Sequence, residues 1–145
     1  MTKKAPGKSK TTGKTPTITE QTHYKKVGRL KKPIADAIGR EPAYIYISQN
    51  YMKHIFLRHK KEIAALGFTP KAFVDLVVAN FNCIYKGIAG ESLLLVIQNG
   101  KSKVVAIEIN YALKEEFYEV KTAFVTEKNL LEKRELLWTK LKKGL

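Results

Sequence analysis

The hydrophobic period of the sequence changes from helical to alternating at about residue 82. After that point apolar and polar residues alternate in four runs, which is the pattern of half-buried β-strands. Two of these runs are joined by Asn99-Gly100, a dipeptide typical of a tight hairpin turn. We therefore predict a four-stranded antiparallel sheet over residues 82–86, 93–98, 104–111 and 116–126.

Two helices are predicted before these strands. Ser48 is a suitable N-cap for a helix over residues 49–66, and Thr69-Pro70 begins a second helix over residues 70–80. The first helix carries a mostly apolar stripe at three- and four-residue spacing, which should face the sheet. The stripe consists of Met52, Ile55, Phe56, His59, Ile63 and Leu66.

The ends of this region also carry regular patterns. Residues 44–47 alternate as a short strand, and leucines with one tryptophan predict a final helix over residues 128–141. Because the strands do not alternate with crossover helices, the predicted fold class is α+β. In this prediction, N-terminal helices pack on the four-stranded antiparallel sheet and a C-terminal helix closes the domain.

Positive charge is concentrated at the N-terminus. The chain has 27 Lys and Arg residues against 13 Asp and Glu residues, a net charge of +14, and residues 1–32 contain ten of the cations with only Glu20 as an acid. We expect residues 1–22 to form a basic disordered tail, residues 23–43 a basic linker and residues 44–145 the folded domain. Such lysines attract phosphates by counterion release, although a tail that only aids solubility has the same composition.

Several classes of protein are excluded by what the sequence lacks. Cys83 is the only cysteine, so the chain has no internal disulfide, and no apolar run approaches the ~20 residues of a transmembrane helix. We expect a cytoplasmic protein that contacts no membrane. The sequence has no common nucleotide, zinc or esterase motif, so we expect neither a metal nor a cofactor.

Two histidines and several cations share the first predicted helix. His54 and His59 stand among Lys53, Arg58 and Lys60, and histidine can both accept and give a proton near neutral pH. Positions five apart differ by about 140° around a helix, so the spacing predicts that the two imidazoles do not face each other. His59 should point toward the sheet, where a histidine is most often a structural residue.

The fourth predicted strand offers polar partners on either face. By alternation, Thr122 lies on the core face between Val120 and Phe124, where its hydroxyl and the His59 imidazole could converge on a phosphate. The other face would carry Glu108, Glu119 and Lys121, a set that resembles ordinary surface ion pairs more than a catalytic site.

Taken together, the helix segment KHIFLRH, the strands LLLVIQNGKSKVVAIEI, the strand FYEVKTAF and the closing LLW resemble the barnase, EndoU, colicin and RelE-like (BECR) nuclease superfamily, in its phage and mobile-element versions. The resemblance implies helices on a four-stranded antiparallel sheet and RNA cleavage without a metal. It places catalytic roles on His59, His54 and Thr122. It also implies a toxin or mobile-element effector, with an immunity protein as a partner.

The implied reaction is transesterification, in which a base activates the ribose 2′-hydroxyl and an acid protonates the leaving 5′-oxygen. His59 would be the base or the acid, His54 a second proton-transfer group, and Thr122 a donor to the phosphate. The cations expected to bind RNA, with tRNA as one candidate, are Lys53, Arg58, Lys60 and Lys121. Two alternatives remain open: a non-catalytic nucleic-acid-binding module of the same fold, and a domain that binds an acidic protein.

Overall fold

The computed structural model describes residues 23–88 and 90–140, so the expected basic tail, residues 1–22, lies outside the described residues. The helices and strands occur in the order β1 (Tyr24–Leu30), α1 (Lys32–Ile38), β2 (Ala43–Ser48), α2 (Gln49–Ala64), α3 (Pro70–Asn80), β3 (Cys83–Lys86), β4 (Leu93–Ile97), β5 (Lys103–Ala112), β6 (Phe117–Glu127), α4 (Lys128–Leu131) and β7 (Leu136–Thr139). Among the described residues, no helix is both long and apolar enough to cross a membrane.

The strands form one seven-stranded sheet in the order β1-β2-β6-β5-β4-β3-β7. The α+β class is confirmed, and the four predicted strands are the adjacent strands β3 to β6, with the β4–β5 hairpin antiparallel as expected. The prediction of a purely antiparallel, four-stranded sheet is wrong, because β2 pairs with β6 in parallel and three further strands extend the sheet.

The expected basic linker over residues 23–43 contains β1 and α1 instead. Strand β1 pairs antiparallel with β2, from Tyr24 opposite Ser48 to Leu30 opposite Ala43. It forms an edge of the sheet, and charged side chains are common on edge strands because they prevent pairing with other chains. The charge that suggested a linker therefore belongs to an ordinary edge strand.

The predicted C-terminal helix over residues 128–141 is also wrong within the described residues. Only Lys128–Leu131 is helical, and Leu136–Thr139 forms β7, which pairs antiparallel with β3. Trp138 lies opposite Ile84 and Thr139 opposite Cys83. The apolar pattern of so short a leucine-rich run is compatible with a helix or with a strand. The segment forms a strand because it pairs with the otherwise free edge of β3.

Both helix starts agree with the sequence. The Ser48 hydroxyl accepts a hydrogen bond from the Tyr51 backbone N–H at 3.1 Å, and the Thr69 hydroxyl accepts one from the Ala72 N–H at 3.2 Å. These caps satisfy backbone donors that have no partner within the helix. They fix where α2 leaves the sheet and where α3 begins.

Apolar side chains are buried on both faces of the sheet. The larger cluster lies under α2 and α3 and includes Ile55, Ile63 and Phe73. A second cluster occupies the opposite face, where Leu94 and Val104 of the sheet pack with Leu131 of α4. This face was expected to carry Glu108, Glu119 and Lys121, but it also contains this small apolar core.

Candidate active site

Helix α2 lies along one edge of β6, beyond the short stretch where β2 pairs with that edge, while β5 pairs with the other edge throughout. Strand β2 pairs with β6 only at Ile45 with Tyr118 and at Tyr46 with Glu119, while β6 continues to Glu127. Beyond that point α2 supplies the partner, because the Glu62 carboxylate accepts a hydrogen bond from the Val125 backbone N–H at 2.9 Å. The histidine-bearing helix is thereby fixed to the rim of the sheet.

The imidazoles of His54 and His59 are neighbours. Their ring centroids are 6.2 Å apart and their planes are inclined by 66°. The prediction from their spacing is therefore wrong. The helical angle describes Cα positions, whereas rotation about the two side-chain torsions brings the rings together. The rim thus carries two adjacent groups that can transfer protons.

The pKa of His54 is lowered from its ordinary value of 6.5. Partial burial is the largest cause, followed by the positive charge of Arg58 and by His59. Each of these disfavours the imidazolium form. His54 is therefore neutral at pH 7, the state in which an imidazole accepts a proton.

The His59 side chain is partly exposed, and one of its ring nitrogens has no hydrogen-bond partner. Its side chain is 25% exposed, its Nδ1 lies 3.3 Å from Oε2 of Glu62, and its ring centroid lies 6.3 Å from that of Phe124. Nδ1 is buried and makes no hydrogen bond of acceptable geometry. Glu62 was not among the predicted site residues, although its position three residues after His59 on a helix was a usable signal.

Thr122 lies on the opposite face from the one expected. The register of β6 against β5 shifts by one residue, so that Thr122 pairs with Glu108 while Val120 pairs with Ile109. This bulge at Lys121 interrupts the alternation, and Thr122 shares a face with Glu108 rather than with Val120. Its hydroxyl is buried and has no hydrogen-bond partner. It lies two residues before Phe124, which contacts His59.

The predicted cations are divided between two environments. Arg58 is close enough to His54 to lower its pKa. Lys53 and Lys60 are exposed and stand seven positions apart, on the helix face turned away from buried Ile55, and Lys60 Nζ lies 4.5 Å from the Phe56 ring centroid. These two lysines therefore do not join the histidine pair.

Lys121 belongs to a hydrogen-bonded network at the same rim. Its Nζ donates to the Tyr51 hydroxyl and to the Glu119 carboxylate, both at 3.2 Å. Burial opposes its charge, but these two partners outweigh burial and raise its pKa. Tyr24 completes the network, since its pKa is raised by burial and by Glu119. Tyr24 was missed because the segment around it was predicted to be a linker.

Glu108 is not part of that network. Its carboxylate accepts hydrogen bonds from the Ser92 hydroxyl at 2.6 Å and from the Ile88 backbone N–H at 3.1 Å, and it is 8% exposed. These contacts fix the loop between β3 and β4. The predicted grouping of Glu108 with Glu119 and Lys121 is therefore wrong, and only the latter two form an ion pair, at 3.2 Å.

We call the rim that carries His54 and His59 the histidine rim. A cavity of about 490 Å³ lies beside it, on the face of the sheet opposite α2 and α3. Phe124, which contacts His59, forms one wall, and Arg134 and Lys133 lie on the α4 side. Its volume falls within the usual range for small-ligand sites. The other lining residues are Ile88, Leu94, Thr126, Leu130 and Leu131.

Comparison with known proteins gives no further identification: the chain matches no protein-family model, no curated protein and no solved structure.

Proposed function

We propose that the protein is a metal-independent RNA endonuclease that cleaves by transesterification at the ribose 2′-hydroxyl. The observation that supports this proposal most strongly is the pair of adjacent imidazoles on the rim of the sheet, one of which has a lowered pKa. Cleavage of this type needs one group to accept a proton and a second group to donate one. The two histidines can supply both roles.

In the proposed mechanism, neutral His54 takes the proton from the 2′-hydroxyl, and the 2′-oxygen bonds to the adjacent phosphorus. The bond from phosphorus to the 5′-oxygen breaks, and protonated His59 gives its proton to that oxygen. The products are a 2′,3′-cyclic phosphate and a free 5′-hydroxyl. Attacking and leaving oxygens lie roughly in line at phosphorus, so two separate groups at neighbouring positions suit the reaction.

Other side chains at the rim have supporting roles. Thr122, whose hydroxyl is buried and unpartnered in the free protein, donates it to a non-bridging oxygen after its side chain rotates outward, and Arg58 neutralises charge on the phosphorane. Glu62, 3.3 Å from Nδ1 of His59, fixes the position of that ring. The neighbouring cavity accommodates a base or sugar of the substrate, with Arg134 and Lys133 beside the phosphates.

The test is incubation of the full chain with bulk tRNA and mRNA in EDTA, followed by analysis of product ends. We expect cleavage that leaves 2′,3′-cyclic phosphates, and no cleavage of an oligonucleotide whose riboses are all 2′-deoxy. Binding of RNA without cleavage would instead support a non-catalytic nucleic-acid-binding module. Absence of any RNA interaction would contradict both functions.

Thr122→Val separates a catalytic role from a structural one. Valine has nearly the same shape and removes a buried hydroxyl that has no partner, so the free energy of unfolding should stay constant or rise by about 1 kcal/mol. Cleavage should fall by about tenfold, because the phosphate loses a donor. Urea unfolding and single-turnover cleavage measure the two quantities. A stabilised variant with full activity would remove Thr122 from the mechanism.

Arg58→Gln should move the acidic limb of the pH–rate profile. The Arg58 charge lowers the pKa of His54, so its removal raises that pKa toward 6.5 and makes the base lose activity at a higher pH. Partial burial still acts, so the limb should stay below pH 6.5. The matched control is Lys101→Gln in the β4–β5 turn, which should leave the limb in place. An unmoved limb in Arg58→Gln would exclude His54 as the base.

A further inference from the structure

Strand β1, at the edge of the sheet opposite β7, carries a basic surface. It consists of Tyr44, of Lys26 above the Tyr44 ring, and of Arg29 and Lys31, which line a cavity together with Tyr44; we call it the β1 edge site. A cavity of about 320 Å³ lies there, lined by Arg29, Lys31, Lys32 and Tyr44 together with two prolines. Nothing in the proposed cleavage mechanism uses these residues.

A bulge in β1 brings the cations to one side. Lys26 pairs with Tyr46 and Arg29 with Tyr44, and the register shifts between Lys26 and Gly28. Residues three apart on a regular strand would face opposite sides, whereas the extra residue places Lys26 and Arg29 on the face of Tyr44. Lys26 Nζ lies 4.3 Å from the Tyr44 ring centroid.

The charges of the β1 edge site are not neutralised by the surrounding fold. Within residues 23–88 and 90–140, no carboxylate forms an ion pair with Lys26, Arg29 or Lys31, while the nearby Lys32 is paired with Asp36 at 2.8 Å. The site therefore combines unpaired cations with an aromatic ring. Such a combination suits a polyanion that also contains planar rings, because the cations attract its charges and the aromatic ring stacks on its planar groups.

The β1 edge site lies on the same face of the sheet as Thr122. Ile45 and Ile47 belong to the core under α2 and α3, so the alternating Tyr44 and Tyr46 face the other way. Ala123 also belongs to that core, so Thr122 faces the same side as Tyr44. A chain of aromatic contacts runs across this face, from Tyr44 to Tyr46 at 6.4 Å and from Tyr46 to Phe117 at 4.7 Å.

We infer that the β1 edge site binds single-stranded RNA, with one base stacked on Tyr44 and neighbouring phosphates held by Arg29 and Lys31. This inference rests on the proposed function for the identity of the polyanion as RNA. The bound strand would extend across the shared face toward His54 and His59. The site would thus hold the substrate away from the point of cleavage and contribute affinity without selecting a sequence.

The experiment measures binding of the full chain to a 2′-O-methyl oligonucleotide, which cannot be cleaved, by fluorescence anisotropy over a series of salt concentrations. The double variant R29A/K31A should bind more weakly, and its slope of log affinity against log salt should be smaller by about 1.4, or about 0.7 for each lost phosphate contact. The control double variant K86A/K101A removes the same charge elsewhere and should leave the slope unchanged.

Tyr44→Leu tests the stacking separately. We expect about fivefold to 100-fold weaker binding with an unchanged salt slope, and Tyr44→Phe should retain wild-type affinity. Thermal melting of each variant verifies that it is folded. Equal slopes for R29A/K31A and its control, or full affinity in Tyr44→Leu, would overturn the inference. Equally tight binding of a duplex or of anionic vesicles, dependent on Arg29 but not on Tyr44, would overturn it too.

The outcome is distinguishable from a failure of the proposed function. If the wild type binds the oligonucleotide through Tyr44 and Arg29 but cleaves no RNA, the β1 edge site is supported and the ribonuclease proposal fails. If the wild type cleaves RNA while these variants bind normally, only the β1 edge site is refuted.

Discussion

Replacement of His59 by glutamine is expected to lower RNA cleavage in EDTA by about 10²–10⁴-fold, the usual contribution of a positioned acid or base. Glutamine keeps a polar group of similar length but cannot transfer a proton near pH 7. Nδ1 of His59 makes no hydrogen bond and lies 3.3 Å from the Glu62 carboxylate, so the substitution removes only this partly exposed contact, which contributes about 1 kcal/mol or less to stability. Single-turnover cleavage rates and circular dichroism of the same samples measure activity and folding together.

The third described histidine supplies the matched control. His23 is exposed immediately before β1 and has no role in the proposed mechanism. His23→Gln should therefore cleave at the wild-type rate. If His59→Gln is folded and cleaves as fast as His23→Gln, the ring of His59 is not the acid, and the mechanism proposed for the rim is incorrect.

Local signals in the sequence were sufficient for much of the fold. Asn99-Gly100 identified the β4–β5 hairpin, and Ser48 and Thr69 identified the starts of α2 and α3. Each of these signals acts within a few residues, through a turn conformation or a cap. For the same reason, the four central strands were predicted nearly at their observed bounds.

The strands that were missed depend on distant partners. Strand β1 carries cations that suit an exposed edge as well as a linker, and β7 has a leucine pattern that suits a helix as well as a strand. Their structures are decided by the free edges of β2 and β3, with which they pair. No pattern within either segment contains that information.

The sequence suggested which residues to consider for the candidate site, but not how their side chains are arranged. His54, His59 and Arg58 lie together on α2, whereas Thr122 lies on β6, on a face that it reaches through a bulge that strict alternation does not predict. The pairing of the two rings depends on side-chain torsions rather than on sequence spacing. Glu62 could have been identified from its spacing to His59, whereas Tyr24 could be identified only when β1 was placed against β2.

The orientation of α2 determines where both histidines lie, and two adjacent residues report on it. The sequence placed Ile55 and Phe56 together in the stripe that faces the sheet. In the structure Ile55 is 0% exposed, whereas Phe56 is 44% exposed and lies beneath the Lys60 ammonium group. The stripe is therefore narrower than expected, and the helix is rotated so that the edge bearing His59 approaches β6.

Ile55→Ala should lower the free energy of unfolding by about 2–5 kcal/mol, because it leaves a cavity in the core under α2. Phe56→Ala should change it by less than about 1 kcal/mol, since it removes an exposed ring and one cation–π contact. Urea unfolding of both variants gives the comparison. Equal losses for the two would mean that Phe56 is buried, and the rotation of α2 that brings His54 and His59 to the rim would then be wrong.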